Sequence, residues 1–152
     1  MSQFNLTEYD PKGRKVWYPL PFRPHKLGAK PPAIEVCYAG LTNRPYAEAV
    51  AKHGAKTGAT RRAARGQISV QAAVDNLAEE RKRYAKYVAS DMRDVYNTAG
   101  EEVKFSHVAC LEYMEAWPDY VMQDLATFCS LPDNFLLEDE PTEEEVEAQA
   151  GN

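Results

Sequence analysis

Near the start of the chain, polar and apolar positions alternate in short runs. Val16 to Tyr18 is one β-prone run; in another, Ile34, Val36 and Tyr38 alternate with Glu35 and Cys37, the period of a half-buried strand. The connection between them is rich in proline, which excludes a long helix and predicts a wide loop rather than a tight hairpin. Together the runs predict a two-stranded sheet, too small to be stable alone and obliged to lean on helices.

Further along, the apolar period lengthens to three and four residues. The stretch "TNRPYAEAVAKHG" reads as a helix capped by Thr42 or Asn43, with Pro45 in its first turn and Gly54 as its stop. The next stretch, "AKTGATRRAARG", has little to bury and reads as a mobile loop or weak helix. Residues 67–91 form the longest predicted helix: Ser69 is a candidate cap, and Val70, Val74, Leu77, Tyr84 and Val88 make an inward stripe with Arg81 in the remaining position. Glu79 and Glu80, ahead of Arg83 and Lys86, permit ion pairing along its outer side. Two more helices come after it. One spans 106–117, capped by Ser106, with Val108, Leu111 and Met114 inward; the other spans 118–130, with Pro118 in its first turn and Val121, Leu125 and Phe128 inward. Apolar Leu131, Phe135 and Leu136 close the domain.

Between the long helix and the next lies "NTAGEEVKFS". Asn97 through Gly100 supply turn chemistry, Val103 and Phe105 alternate with polar neighbours, and the segment delivers Ser106 to the helix after it. The predicted class is therefore mainly α, of α+β type: a small helical bundle with a short N-terminal β-hairpin-like element and a short β-like elbow near 97–105. Residues 1–32 read as a Pro-rich extended arm carrying the first strand, 33–136 as the helical domain, and 137–152 as an acidic tail expected to be disordered, because it has too little to bury.

Composition sharpens this picture in two respects. Aromatics are plentiful, which argues against wholesale disorder, and no stretch approaches the ~20 apolar residues that cross a bilayer. The first residues, "MSQFNLTEYDPKGRK", lack an apolar segment of signal-peptide length, so a cytoplasmic product is expected. The net charge of −5 conceals an asymmetry: residues 1–66 carry twelve Lys/Arg against four Asp/Glu, whereas the last sixteen carry seven acids and no base. Opposite signs at the two ends can hold a chain compact, steer a partner or favour head-to-tail self-association.

Candidate chemistry is sparse. Cys37, Cys110 and Cys129 are far apart among apolar neighbours and read as buried free thiols. "GAKTGAT" departs from a phosphate-binding loop, since Lys56 does not follow a Gly and a helix precedes it. A basic cluster of Lys52, Lys56, Arg61, Arg62 and Arg65, with His53 among them, could meet phosphates. It lacks interleaved aromatics in an acidic protein, which favours a solvated loop or an acidic protein partner over nucleic acid. His25, His53 and His107 are scattered, without metal-ligand spacing. The pairs Asp91/Asp94 and Glu112/Glu115 would need a desolvating cleft to act as acid and base, and no Ser or Cys stands in a nucleophile motif. No catalysis, metal or cofactor is expected.

Taken as an ordered series, residues 33–136 resemble the tail assembly chaperones of long-tailed bacteriophages. The resemblance lies in the strand-like "AIEVCYAG" followed by "LTNRPYAEAVAK" with Asn43 and Tyr46, a basic variable segment, and "RKRYAKYVASDMRDVYNTAGEEVKFS" as a helix, elbow and fresh helix. It ends with "ACLEYMEAWPDYVMQDLATFCSLPDNF". It implies a non-enzymatic protein of the infected host's cytoplasm that coats the aggregation-prone tape-measure protein until tail-tube protein polymerises around it. Many such chaperones are made in two lengths by ribosomal frameshifting, the longer recruiting tube protein.

Holding an exposed amphipathic helix requires an apolar groove, which the helices at 106–117 and 118–130 could form with the long helix. Tyr113, Trp117, Tyr120, Val121 and Phe128 are the candidate partner contacts; alternatively, these side chains are ordinary core. Two other classes stay open: a structural virion component (a head-tail completion or minor tail protein), with the Pro-rich segment as an arm ordered by neighbours, and a nucleic-acid-binding regulator using Arg61 to Arg65.

Overall fold

The computed structural model describes residues 3–63 and 69–136, with side chains in the first long helix described only up to Lys56. Three strands, β1 (Lys15–Pro19), β2 (Ala33–Cys37) and β3 (Ala89–Arg93), form an antiparallel sheet in the order β1-β2-β3. Four helices accompany it: α1 (Arg44–Ala63), α2 (Val70–Tyr87), α3 (His107–Glu115) and α4 (Asp119–Ser130). Short 3-10 turns lie at Thr7–Tyr9 and Pro132–Phe135. The chain is of the α+β class, as its periodicity predicts. Among the described residues, no helix is long and apolar enough to cross a membrane.

β2 is central because its residues can be buried. Ile34 and Val36 are fully enclosed, while Glu35 and Cys37 on the other face are half-buried. Val16 pairs with Val36 and Tyr18 with Ile34 across β1; Ile34 pairs with Met92 across β3, with a register irregularity between Glu35 and Val36. On the outer face the Arg93 guanidinium lies 4.5 Å from the half-buried Trp17 ring. The core adds Met114 of α3 and Val121, Met122, Leu125 and Cys129 of α4, closed by Phe135. β1 and the buried Leu20 share this core with residues 33–136, so the Pro-rich segment is anchored from Lys15 onward.

Asn43 ties three elements together. Its side-chain amide donates to the carbonyls of Tyr38 and Tyr87, each at 3.1 Å, and its Oδ1 accepts from the Tyr46 amide at the start of α1. Ser69 and Ser106 cap α2 and α3 as predicted, their hydroxyls accepting from the Ala72 and Ala109 amides, each at 3.0 Å. Pro118 stands just ahead of α4. At the elbow, Asn97 Oδ1 accepts from the Ala99 and Glu101 amides and Gly100 takes a positive φ of 81°. Tyr96 bridges Glu102, and the Val103 amide donates to Val95 at 2.8 Å. The β-like elbow is present.

Three expectations are corrected. Gly54 does not end α1, which continues to Ala63 through the segment expected to be a loop or weak helix. The alanines around it favour helix, and each of the two interior glycines, Gly54 and Gly58, costs only about 1 kcal/mol. The long helix stops at Tyr87 rather than Asp91, and the chain then enters β3, making the sheet three-stranded. Ala89–Arg93 has little intrinsic preference for a strand; pairing with β2 imposes one. Finally, Val70, Val74 and Val108 lie outside the core that their helical stripes predict for them. Val70 and Val74 lie on turns of α2 that extend past the core, whereas Val108 lies on the outward side of α3 next to the fully buried Cys110.

Two contacts set the direction of α3 against α2. His107 Nδ1 donates to the Ala85 carbonyl at 2.7 Å, and Arg81 Nη2 donates to the Trp117 carbonyl at 2.9 Å. The helices thus run antiparallel, and α3 covers α2 from Arg81 toward its end. α1 runs alongside α2 on both sides of Arg81: Tyr46 meets Tyr84 edge-on at 5.6 Å, and ahead of Arg81 His53 Nε2 donates to Asn76 Oδ1 at 3.0 Å. α1 and the first half of α2 make a helical hairpin reaching past the core.

Candidate functional site

The five candidate partner residues separate into three environments. Val121 and Trp117 are in the core, Trp117 only 4% exposed. Phe128 is half-buried between Tyr18, 4.9 Å away, and Phe135, 5.7 Å away. Tyr120 points outward and is 56% exposed. Tyr113 is half-buried and meets Trp117 edge-on at 5.5 Å. The inward faces of α3 and α4 are consumed by the fold, so the groove expected between them and the long helix is filled by the protein itself.

Tyr113 and Trp117 do line a surface cleft of about 300 Å³. Its other walls come from distant loops: Phe22 and His25 from the β1–β2 connection, Tyr96 from the elbow. Phe22 lies 6.3 Å from both Tyr113 and Trp117, and His25 stacks on Tyr96 at 4.1 Å. Asp94, also lining the cleft, holds a left-handed φ of 58°, uncommon for a residue with a side chain. Burial pushes the Tyr113 phenol up to about 12, with the adjacent Trp117 indole pulling the other way, so it stays a neutral hydroxyl at ordinary pH. Periodicity could not find Phe22, His25 or Tyr96. The signal that could is a large ring held between prolines in "PLPFRPH", which must cover itself somewhere.

A wider cleft, of about 590 Å³, opens between the N-terminal segment and the start of α1. Lys12, Lys15, Cys37, Tyr38, Asn43 and Arg44 are among its walls. Burial pushes the Cys37 thiol up, with Lys15 pulling the other way. Cys110 and Cys129 are fully buried free thiols, as expected, whereas Cys37 is a free thiol that is only half-buried.

The third feature is the open half of α2. Val70 is 83% exposed and Val74 53% exposed, on the stripe that further along carries Leu77, Tyr84 and Val88. Of the basic cluster, Lys52 and Lys56 are exposed on α1; the side chains of Arg61 and Arg62, and all of Arg65, lie outside the described residues, as does the acidic segment 137–152. Asp91, Glu112 and Glu115 are exposed, and among the described residues no group of three or more His, Cys, Asp or Glu could hold a metal ion. Comparison with protein-family models, curated proteins and solved structures found no match to the chain.

Proposed function

We propose that this protein is a non-catalytic assembly chaperone of the kind that serves the tails of long-tailed bacteriophages, and that it grips the tape-measure protein along the open half of α2. The observation that supports this reading is the uncovered stripe at Val70 and Val74. Where α3 lies against the later turns of α2, the stripe becomes core; where α3 is absent, an amphipathic client helix can take its place, laying its own apolar side on Val70, Val74 and Leu77. The polar outer side of α1 keeps such a complex soluble in the host cytoplasm until tail-tube protein displaces the chaperone.

Co-expression with a tape-measure protein tests this. The client is expected to become soluble and to co-purify with the wild-type chain. Replacing Val70 and Val74 together by Gln is expected to abolish co-purification while leaving the melting temperature unchanged. A client that stays insoluble and unbound in the presence of the wild-type chain refutes the proposal.

A second reading draws on the N-terminal segment, where Leu6 and Leu27 are strongly exposed. Apolar side chains presented there, Leu6 ahead of β1 and Leu27 on the loop between β1 and β2, suit a structural component of the virion that packs against neighbouring subunits. Recovery of the polypeptide from purified particles supports that reading over the chaperone.

A further inference from the structure

We infer that the acidic segment after Leu136 binds back into the wide cleft between the N-terminal segment and the start of α1, its carboxylates facing Lys12, Lys15 and Arg44. The inference is independent of the chaperone reading. The path of the chain supplies the first argument. Phe135 is buried against Tyr38, ring centroids 6.0 Å apart, and Tyr38 is itself a wall of the cleft. The Tyr38 ring also lies over Gly40 so closely that a Cβ there would collide with it, so the ring occupies the space a side chain at 40 would take. The described chain therefore ends at Leu136, the residue after a ring that packs on a wall of the cleft. Sixteen residues remain, and at roughly 3.3 Å per extended residue they reach well across it.

Charge supplies the second argument. The cleft presents three cations and one carboxylate, Asp10, which already accepts the Lys12 amide at 2.9 Å. Neither Lys12 nor Lys15 makes an ion pair with another described residue, and Arg44 has only Glu48, at 3.5 Å between exposed side chains. Such a pair is worth little and is readily exchanged. The segment from 137 to 152 brings seven carboxylates and no cation. Tethering places them at an effective concentration in the millimolar range, enough for a weak contact to be mostly formed at low salt and lost at high salt.

Cys37 reports on the cleft, because it alone of the three cysteines is part-exposed. In the full-length chain, the rate of alkylation by neutral iodoacetamide is followed across pH, with the modified residue identified by mass spectrometry. The pH profile separates the pKa of the thiol from the limiting rate of its thiolate. Replacing all seven acids between 138 and 147 by their amides is expected to raise the limiting rate at low salt by about threefold or more, as for release of a tethered occupant. High salt is expected to do the same to the wild-type chain. The pair Lys12→Gln and Arg44→Gln, which leaves Lys15 beside the thiol, is expected to match the tail variant. A changed pKa with an unchanged limiting rate means that the segment acts through space without docking, and overturns the inference. So does protection that disappears on dilution, which assigns the occupant to a second copy of the chain.

Discussion

At Tyr84 and Val88 the apolar stripe of α2 is enclosed, whereas at Val70 and Val74 the same stripe of the same helix faces outward. The enclosed half has Tyr46 across it, the His107 and Arg81 hydrogen bonds along it, and β3 continuing from its end. The open half rests mostly on local terms, the Ser69 cap, alanines at 72, 73 and 78, and a side-chain hydrogen bond from Gln71 to Asp75 at 3.0 Å, with the His53 to Asn76 hydrogen bond as its tie to α1. One periodic pattern thus serves two ends. Packing holds the first in place, and propensity keeps the second helical while leaving its apolar side open to a partner. Helical turns held mostly by local terms open more readily than those in a core, so stability grades along α2.

The largest test of this contrast sets Leu125 against Val74. Leu125 is fully buried, and Leu125→Ala is expected to lower unfolding free energy by about 2–5 kcal/mol. Val74→Ala, at a solvated position, is expected to stay within about 0.5 kcal/mol. Urea unfolding of both variants measures the difference; comparable losses would mean that the hairpin is part of the core. The two serine caps divide the molecule more finely. Ser106→Ala is expected to cost about 1 kcal/mol of global stability. Ser69→Ala removes a hydrogen bond of the same length, but its loss is expected mainly as faster amide exchange in the first turns of α2, with little change in the unfolding midpoint.

Glu80 gives the smallest effect and marks the boundary between the halves. Burial raises its carboxyl above the usual 4.5, against the opposing pull of Arg83 and Arg81. The native state then holds the proton more tightly than the unfolded chain does. The contribution of Glu80 is complete below the unfolded value and is lost as pH rises through the raised native value. Glu80→Gln is accordingly expected to raise the melting temperature at pH 7, with the gain fading toward pH 4. An equal gain at both pH values would place Glu80 in solvent.

Features whose cause is local can be read from the residues: the caps at Ser69 and Ser106, the Asn97–Gly100 turn, and the alternation at Ile34 and Val36. β3 cannot, because Ala89–Arg93 becomes a strand only through its partner, and neither can the passage of α1 through Gly54, where a stop signal loses to its alanine neighbours. The candidate site obeys the same rule. Tyr113 and Trp117 lie one helical turn apart and are visible as a pair, whereas Phe22, His25 and Tyr96 join them from loops that only the folded chain brings near. Periodicity puts Val70 and Val74 correctly on the stripe and wrongly in the core, since it gives the side a residue lies on and says nothing of whether anything covers it.

Both tryptophans belong to the packed body: Trp117 at the corner between α3 and α4, and Trp17 on the sheet beneath Arg93. Indole emission therefore tracks the melting of that body and is blind to fraying of the α1–α2 projection, which far-ultraviolet ellipticity registers. The gap between the two optical curves isolates the transition of the projection without any label.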